Sequence, residues 1–258
     1  MLLIVIKTVK PKAKNTWFFT KHEQSEKERV LGLNDNVIIL FTRIPAPGKT
    51  KTRLQTLLTG EECCFLHKAF LCDIYNVLLK SKSKCDITVF YEPDGDVRKL
   101  KELLPNAHKY LPQHGKSLGD KMHNAISSIL SDGYNKCLLI GSDIPLLKES
   151  NISEAISLLD ESDIVICPTE DGGYFLIGMK KPCEEAFLLD EYGVSTVFEK
   201  TKAAVIHSKK TLAVGAATLD IDEPCDLYSL ANKLKSEDAD TCPETRKALQ
   251  ELKIAGSL

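Results

Sequence analysis

The sequence predicts an α/β protein with a mostly parallel, Rossmann-like sheet that carries helices on both faces. Short runs of β-branched and apolar residues, such as 37–41 and 136–140, alternate with longer segments whose apolar residues recur at helical spacing. Continuous apolar runs are typical of strands covered on both faces, and strands that alternate with helices usually pair in parallel. A chain of 258 residues with 43% hydrophobic residues is long enough to bury such a sheet.

Local signals in the sequence support the individual elements. Phe65 and Ala69 have the spacing of one helix face. A helix that begins near residue 97 ends before Pro105, and Ser117 with Asp120 has the spacing of a capping box. The predicted strands lie at residues 37–41, 86–91, 136–140, 163–167, 174–178 and 213–219. The predicted helices lie at residues 61–80, 97–104, 117–130, 149–159, 194–205, 224–234 and 243–254.

Domain organisation follows from the same periodicity. Residues 1–35 contain the single tryptophan and show no clear period, so we interpret them as an N-terminal extension. Residues 36–258 contain neither an internal repeat nor a low-complexity linker, which predicts one domain.

Composition excludes several classes of function. The 34 basic and 36 acidic residues nearly cancel, which argues against a polycationic nucleic-acid binder. No apolar run approaches the roughly 20 residues that a membrane span requires. Nine cysteines without C-x-x-C spacing predict free thiols in a reducing compartment. We therefore expect a cytoplasmic protein that acts on small molecules, with no nucleic-acid partner and no membrane span.

A basic loop follows the first predicted strand. It contains Arg43, Lys49, Lys51 and Arg53 and no acidic residue, and prolines together with Gly48 stiffen and turn it. Basic side chains and free backbone N–H groups before a helix form an anion site, most simply for a phosphate or diphosphate. The loop is not a P-loop, because Arg43 stands where that motif requires glycine. The alternative interpretation is a solvated basic turn.

Two acidic groups also follow predicted strands. Asp143 lies just after the strand at 136–140, and Asp220 and Asp222 follow the last strand with the period of two that places both on one face. Carboxylates at strand ends are suitable ligands for Mg²⁺ or Mn²⁺ on a diphosphate. The alternative is that these aspartates only cap turns and helices.

Two glycine-containing loops complete the candidate site. Gln113 precedes a predicted helix, and an amide side chain is suited to hydrogen bonding with a base edge. Asp171 precedes Gly172 and Gly173 and could bind hydroxyl groups or act as a base. A capped helix start and a simple hairpin turn are the structural alternatives.

Five of these motifs, in this order, resemble a bacterial family of glycosyltransferase-A-like proteins assigned as nucleotide-diphospho-sugar transferases. More distantly, the chain resembles phospholactate guanylyltransferase and the molybdenum-cofactor nucleotidyltransferases. The resemblance covers about residues 36–234, and one departure is Lys121, where the family usually has arginine. The motifs are residues 41–54, 113–122, 141–145, 170–174 and 220–222.

The resemblance implies the nucleotide-diphospho-sugar transferase (GT-A) fold and a role for each matched residue. The predicted phosphate-binding residues are Arg43, Lys49, Lys51 and Arg53, of which Arg53 is also a candidate catalytic residue. Gln113, Leu118 and Gly119 would flank the base. Asp143 would bind the metal, with Asp222 or Asp220 as the second ligand. Catalytic Asp171 would line the acceptor side together with Gly172, Gly173 and Tyr174.

These residues support three hypotheses for function. The first is metal-dependent transfer of a glycosyl group from a nucleotide-diphospho-sugar to a small-molecule acceptor. The second is nucleotidyl transfer from a nucleoside triphosphate to a small phosphorylated acceptor, as in guanylyl- or cytidylyltransferases. The third is a non-catalytic nucleotide sensor. Taken alone, the basic loop favours nucleotidyl transfer slightly, because its positive charges suit a leaving pyrophosphate. The family resemblance favours sugar transfer instead.

Overall fold

The structure is a computed structural model and describes residues 34–254. The N-terminal extension predicted at residues 1–35 lies outside the described residues, apart from its last two positions. Asn34 already belongs to the folded domain, since its side-chain amide donates a 2.9 Å hydrogen bond to Asp86.

Seven strands form a single sheet among the described residues. They are β1 Asn36–Arg43, β2 Cys85–Glu92, β3 Lys109–Pro112, β4 Lys136–Ile140, β5 Ile164–Pro168, β6 Tyr174–Met179 and β7 Leu212–Val214. Their order across the sheet is β3-β2-β1-β4-β6-β5-β7. Only β6 runs antiparallel to its neighbours β4 and β5, and the remaining pairs are parallel. The predicted mostly parallel sheet is confirmed.

Helices cover both faces of the sheet, as predicted. They are α1 Gly60–Lys80, α2 Val97–Leu103, α3 Leu118–Ser131, α4 Glu149–Glu161, α5 Val197–His207, α6 Pro224–Ser236 and α7 Pro243–Glu251. One core cluster joins the sheet to α1, α4, α6 and α7 through residues such as Phe70, Leu159 and Leu230. A second cluster lies on the other face, where α3 and α5 contribute Ile126 and Val205. Between residues 34 and 254, no helix combines the length and hydropathy needed to cross a membrane.

The structure differs from the predicted elements at the sheet edges. Strand β3 was not predicted because its four residues are all half-buried and give no continuous apolar run. The last strand is shorter than the predicted 213–219, since the chain leaves the ladder after Val214 and rejoins only through a bridge between Thr169 and Thr218. Two short 3₁₀ helices, Thr52–Thr56 and Glu184–Phe187, were also not predicted.

The topology brings the predicted motifs to one edge of the sheet. Strands β1 to β4 are parallel, so their carboxyl ends point the same way. The turn between β5 and β6 opens at the same edge, because β6 is antiparallel to β4. Ligands of open α/β sheets bind beyond this edge.

Candidate active site

A cavity of about 600 Å³ opens beyond the carboxyl ends of β1 to β4. This volume lies within the range of small-molecule sites, about 300–1,000 Å³. Its lining comes from the basic loop, from the ends of β2 and β3, from the start of α3 and from the segment after β4. The lining residues include Arg43, Lys49, Lys51, Arg53, His67, Glu92, Gln113, Leu118, Lys121, Ser142, Asp143, Tyr192 and Asp222.

Lys51 is the most buried cation of the basic loop. Its backbone is left-handed, with φ 52° and ψ 43°, at the position just before the 3₁₀ helix Thr52–Thr56. This turn directs the side chain inward, where only 3% of it is exposed. Its Nζ forms an ion pair with Asp143, lies 3.6 Å from Asp222 Oδ1 and donates a hydrogen bond to the carbonyl of Ile221.

The two acidic groups predicted from the sequence meet at this lysine. The backbone N–H of Ile221 donates a 3.0 Å hydrogen bond to the carbonyl of Asp143, which fixes the segment after β7 against the segment after β4. As a result, Asp143, Asp220 and Asp222 each offer a carboxylate oxygen, and these oxygens lie within 4.8 Å of one another. We call these three residues the carboxylate cluster.

Burial and mutual repulsion set the charge of the carboxylate cluster. Burial would raise the pKa of Asp143, but the charge of Lys51, its hydrogen bond to Asp143 and the nearby Arg43 together outweigh burial and hold this pKa below its usual range. Burial, followed by repulsion from Asp143 and Asp222, raises the pKa of Asp220 to about 8. For Asp222, burial and repulsion exceed the attraction of Lys51 and Arg53, so its pKa is also raised. Burial opposes the charge on Lys51, yet the surrounding carboxylates raise its pKa.

The carboxylate cluster fits a hard divalent cation. Oxygen donors from three separate side chains lie within 4.8 Å of one another, and Mg²⁺ and Mn²⁺ prefer oxygen ligands. Burial first, and then repulsion between the carboxylates, raises the pKa values of Asp220 and Asp222. Asp143, Asp222 and Asp220 are therefore the residues that would hold a metal.

The other three basic residues line the same cavity but are more exposed than Lys51. The Nη1 of Arg53 lies 3.6 Å from Asp222 Oδ2, and half of the side chain is exposed. Lys49 forms a 2.6 Å ion pair with Asp94 on the surface. Arg43 is exposed and approaches the carbonyl of Lys49 at 3.5 Å. These side chains keep contact with solvent and can turn toward an anionic ligand.

Of the three predicted base-flanking residues, Gln113 and Leu118 line the cavity and Gly119 does not. Gln113 is buried, and its side-chain nitrogen donates to the carbonyls of Thr42 and Phe90 at 2.9 and 3.1 Å. Leu118 lines the cavity and is 44% exposed. Gly119 lies against the backbone of Phe187, and a Cβ at this position would come within 2.2 Å of that carbonyl oxygen. Gly119 therefore serves close packing of α3.

The loop at 170–174 has a strong local structure of its own. Asp171 Oδ1 accepts hydrogen bonds from the Thr169 hydroxyl and, at 3.0 Å, from the Gly173 N–H. Gly172 has a positive φ of 91°, and a Cβ there would clash with the Ser195 carbonyl. The Tyr174 hydroxyl is buried without a hydrogen bond within residues 34–254. Asp171 does not line the cavity. Its negative charge nevertheless contributes to the raised pKa values of Asp220 and Asp222.

The structure adds one buried group that the sequence did not single out. His67, on α1, lines the cavity with its Nε2 3.5 Å from both the Thr42 hydroxyl and the Arg43 carbonyl. Burial lowers the pKa of His67 to about 4, so the ring is neutral at pH 7. Its position on a core-facing helix gave no sequence signal that distinguishes it from an ordinary packing residue.

Comparison with known proteins supports the resemblance seen in the motifs. Residues 76–196 match the model of a family described as "Uncharacterized protein conserved in bacteria (DUF2064)". A Desulfovibrio desulfuricans crystal structure, of a protein assigned as a nucleotide-diphospho-sugar transferase, superposes with a TM-score of 0.77 at 28% identity. That superposition covers 85% of this chain and 97% of the other. The resemblance and the fold are thereby confirmed.

The curated relatives that match the chain are named guanylyltransferases. The 2-phospho-L-lactate guanylyltransferase of Methanocaldococcus vulcanius is 30% identical over 143 residues, which are 55% of this chain and 61% of the relative. The enzyme of the same name from Methanocella arvoryzae is 28% identical over 186 residues, covering 70% of this chain and 74% of the relative. The matches to the three Methanocaldococcus enzymes each span 61% of the relative's length, less than two thirds.

A distant structural neighbour confirms the fold alone. The 4-diphosphocytidyl-2C-methyl-D-erythritol synthase of Anaerococcus prevotii superposes with a TM-score of 0.52 at 13% identity, over 78% of this chain and 100% of the other. The curated relatives and the Desulfovibrio desulfuricans protein, by contrast, are named transferases. The names agree with the predicted class, an enzyme of the transferase type.

Proposed function

We propose that this protein is a metal-dependent nucleotidyltransferase. It transfers the nucleoside monophosphate part of a nucleoside triphosphate to a small phosphorylated acceptor and releases pyrophosphate. The single observation that carries the proposal is the position of Lys51, a buried ammonium held among three carboxylates at the wall of a cavity with further basic side chains. Such a site binds a metal-complexed, highly charged phosphate chain.

The reaction balances without a protein nucleophile. An oxygen of the acceptor phosphate attacks the α-phosphorus of the triphosphate. A new bond forms between that oxygen and the α-phosphorus, and the bond from the α-phosphorus to the α–β bridging oxygen breaks. The electron pair leaves with pyrophosphate. Because the attacking phosphate is already ionised near pH 7, no base has to remove a proton, and Asp171 is not required as one.

The chain supplies electrostatic stabilisation of this transfer. Arg53, Lys49 and Arg43 can approach the triphosphate from the open side of the cavity, and Lys51 provides a fixed positive charge beside the carboxylate cluster. Fixed charges aimed at developing negative charge are often the largest catalytic contribution. When bound, Mg²⁺ or Mn²⁺ on Asp143, Asp222 and Asp220 would neutralise charge on the phosphates.

The relatives favour this reaction over glycosyl transfer. The four curated relatives that match are all named 2-phospho-L-lactate guanylyltransferases. Glycosyl transfer, the first of the three hypotheses above, is the second candidate, and it is favoured by the assignment of the Desulfovibrio desulfuricans structure. The nine free thiols fit a cytoplasmic location, which is part of the same proposal.

A paired product assay tests the proposal. The full chain is incubated with Mg²⁺, each of the four common nucleoside triphosphates, and 2-phospho-L-lactate or another small phosphorylated carboxylic acid. Acceptor-dependent release of pyrophosphate supports nucleotidyl transfer. Release of nucleoside diphosphate from nucleotide sugars supports the second candidate instead. Nucleotide binding without either product would leave the sensor hypothesis.

Matched variants make the assay specific for the site. Asp143→Asn should lower the rate of pyrophosphate release by at least about 10²-fold. Asp160→Asn removes another carboxylate that is paired with a lysine, Lys136, at the start of β4 and therefore at the opposite end of that strand from Asp143. The second variant should retain the activity.

A further inference from the structure

The oxygens that would hold a metal are already in contact with a side-chain cation. The ammonium of Lys51 forms an ion pair with Asp143 and lies 3.6 Å from Asp222 Oδ1. Both aspartates belong to the carboxylate cluster, whose oxygens lie within 4.8 Å of one another. A divalent cation bound to the cluster would therefore share at least one carboxyl group with the ammonium.

Lys51 has little freedom to leave the carboxylate cluster. Only 3% of its side chain is exposed, and its Nζ also donates a hydrogen bond to the carbonyl of Ile221. The ring of Phe70 on α1, with its centroid 5.4 Å from Nζ, adds a cation–π contact. Because these contacts come from separate elements of the fold, the ammonium stays beside any metal that binds to the cluster.

A buried ammonium in this position opposes the binding of a free divalent cation. Two ionic contacts to a shared carboxyl group separate the charges by about 5 Å, and even the dielectric constant of water then weakens metal binding by at least about tenfold. A buried site has a lower effective dielectric constant, which increases the repulsion. Arg53, the other cation beside the cluster, is half exposed, so solvent and salt screen its charge more strongly. Lys51 is therefore the residue that limits the attraction of the cluster for a metal.

A triphosphate reverses the sign of this effect. The complex of a nucleoside triphosphate with one divalent cation carries net negative charge, so Lys51 attracts the complex although it repels the free metal. The other basic residues that line the cavity add to this attraction; they include Arg43, Lys49 and Arg53. The same ammonium thus discriminates between a metal that arrives alone and a metal that arrives with phosphates.

We propose that Lys51 makes metal binding by the carboxylate cluster conditional on the nucleotide. The ammonium serves as the counter-ion of the cluster before the nucleotide binds, and the metal binds tightly only together with the phosphate chain. Because coupling between two ligands is reciprocal, the metal strengthens nucleotide binding by the same factor. This inference rests on the proposed function, since it describes how the metal and the triphosphate of that reaction enter the site.

Manganese titrations of the wild-type full chain test the inference without turnover. The electron paramagnetic resonance signal of free Mn²⁺ gives the Kd for Mn²⁺ at pH 8, with and without a saturating triphosphate analogue and after subtraction of the Mn²⁺ that free analogue binds. The analogue carries a methylene group between the α- and β-phosphorus, so it cannot release pyrophosphate. We expect it to lower the Kd for Mn²⁺ by about 5- to 150-fold, the usual range for coupling between two ligands. Equal Kd values in the two titrations would overturn the inference.

Lys51→Met should bind free Mn²⁺ more tightly than the wild type. Without nucleotide, its Kd for Mn²⁺ should be lower by at least about tenfold, because the repulsion is removed. Lys136→Met is the matched control, since Lys136 is also a mostly buried lysine, 14% exposed, and pairs with Asp160 at the start of β4. This control should keep the wild-type Kd within about twofold, because its charge lies beyond the range of strong interaction with the cluster.

A double variant locates the tightened site, and the product assay separates the two proposals. Lys51→Met combined with Asp143→Asn should lose the tight Mn²⁺ binding. A Lys51→Met protein that is folded by circular dichroism and binds Mn²⁺ no more tightly than the wild type would overturn the inference; if this variant does not fold, the wild-type titrations decide. Pyrophosphate release together with nucleotide-independent Mn²⁺ binding would refute only this inference. Nucleotide-dependent Mn²⁺ binding without pyrophosphate release would refute only nucleotidyl transfer.

Discussion

Two lysines that line the cavity, Lys51 and Lys121, pair with carboxylates in opposite ways. Lys51 is almost fully buried and faces three carboxylates, so water cannot replace its partners. Lys121 pairs with the single carboxylate of Glu92 at 2.6 Å, and both side chains are partly exposed. The first arrangement holds fixed charge in place before any ligand arrives. The second can exchange hydrogen bonds with a ligand at small cost, because solvent already reaches it.

The largest effect is expected where fixed charge is removed. Lys51→Met leaves the carboxylate cluster without its buried cation, so we expect kcat/KM to fall by about 10²- to 10³-fold. The free energy of unfolding should fall by about 2–4 kcal/mol, less than a fully buried pair would lose because Asp143 and Asp222 remain partly exposed. Denaturant titration and steady-state kinetics measure the two effects. Unchanged kinetics would show that the ammonium has no role in phosphate binding.

Removal of the carboxylate that Lys51 contacts should affect activity more than stability. Asp143→Asn is expected to lower metal-dependent activity by at least about 10²-fold and to cost only about 1–2 kcal/mol of stability. A thermal-shift series with Mn²⁺ and nucleotide should show stabilisation of the wild type that the variant lacks. Unfolding of the variant would instead indicate that Asp143 is mainly a turn-capping residue.

The buried histidine beneath the basic loop predicts a pH dependence of stability. Because the pKa of His67 is lowered to about 4 in the folded state, the unfolded chain binds the extra proton first as pH falls from 6.5. The wild type should therefore lose about 2 kcal/mol between pH 7.5 and pH 5 from this residue. His67→Gln should flatten that part of the curve. An equal slope in both proteins would contradict the burial of a neutral ring.

The smallest effect is expected at the exposed end of the same loop. Lys49 lies two residues before Lys51 but pairs with Asp94 on the surface, with 56% of its side chain exposed. Lys49→Met should change the free energy of unfolding by less than about 0.5 kcal/mol and raise KM for the triphosphate only a few-fold. A loss as large as that of Lys51→Met would mean that the two lysines share one role.

The sheet and the loops that form the candidate site could be predicted from the sequence, because both depend on local signals. The apolar runs define the strands, and the strand ends identify Asp143 and the basic loop. The outer strand β3 gave no such signal, since an edge strand of four half-buried residues lacks an apolar run. The antiparallel direction of β6 follows from its tight turn after β5, which the two glycines at 172 and 173 indicated.

The roles within the loops depended on three-dimensional detail that no spacing encodes. The sequence singled out Arg53 among the four basic residues as a candidate catalytic residue, yet Lys51, at a left-handed backbone position, is the one whose side chain contacts Asp143. Similarly, Gln113 was a candidate for base contact, yet its nitrogen is used to join the ends of β1 and β2. Tertiary contacts of this kind arise only after the sheet has formed.

Phosphorus NMR of a single reaction mixture tests the central claim most directly. The full chain, Mg²⁺, GTP and 2-phospho-L-lactate are combined, and the products are identified by their resonances. We predict that the triphosphate signals are replaced by those of pyrophosphate and of a new diphosphate that links the nucleoside to the acceptor. If GTP is unchanged in this mixture and in parallel mixtures with other small phosphorylated acceptors, while a nucleotide sugar in a separate mixture is converted to nucleoside diphosphate, nucleotidyl transfer is contradicted.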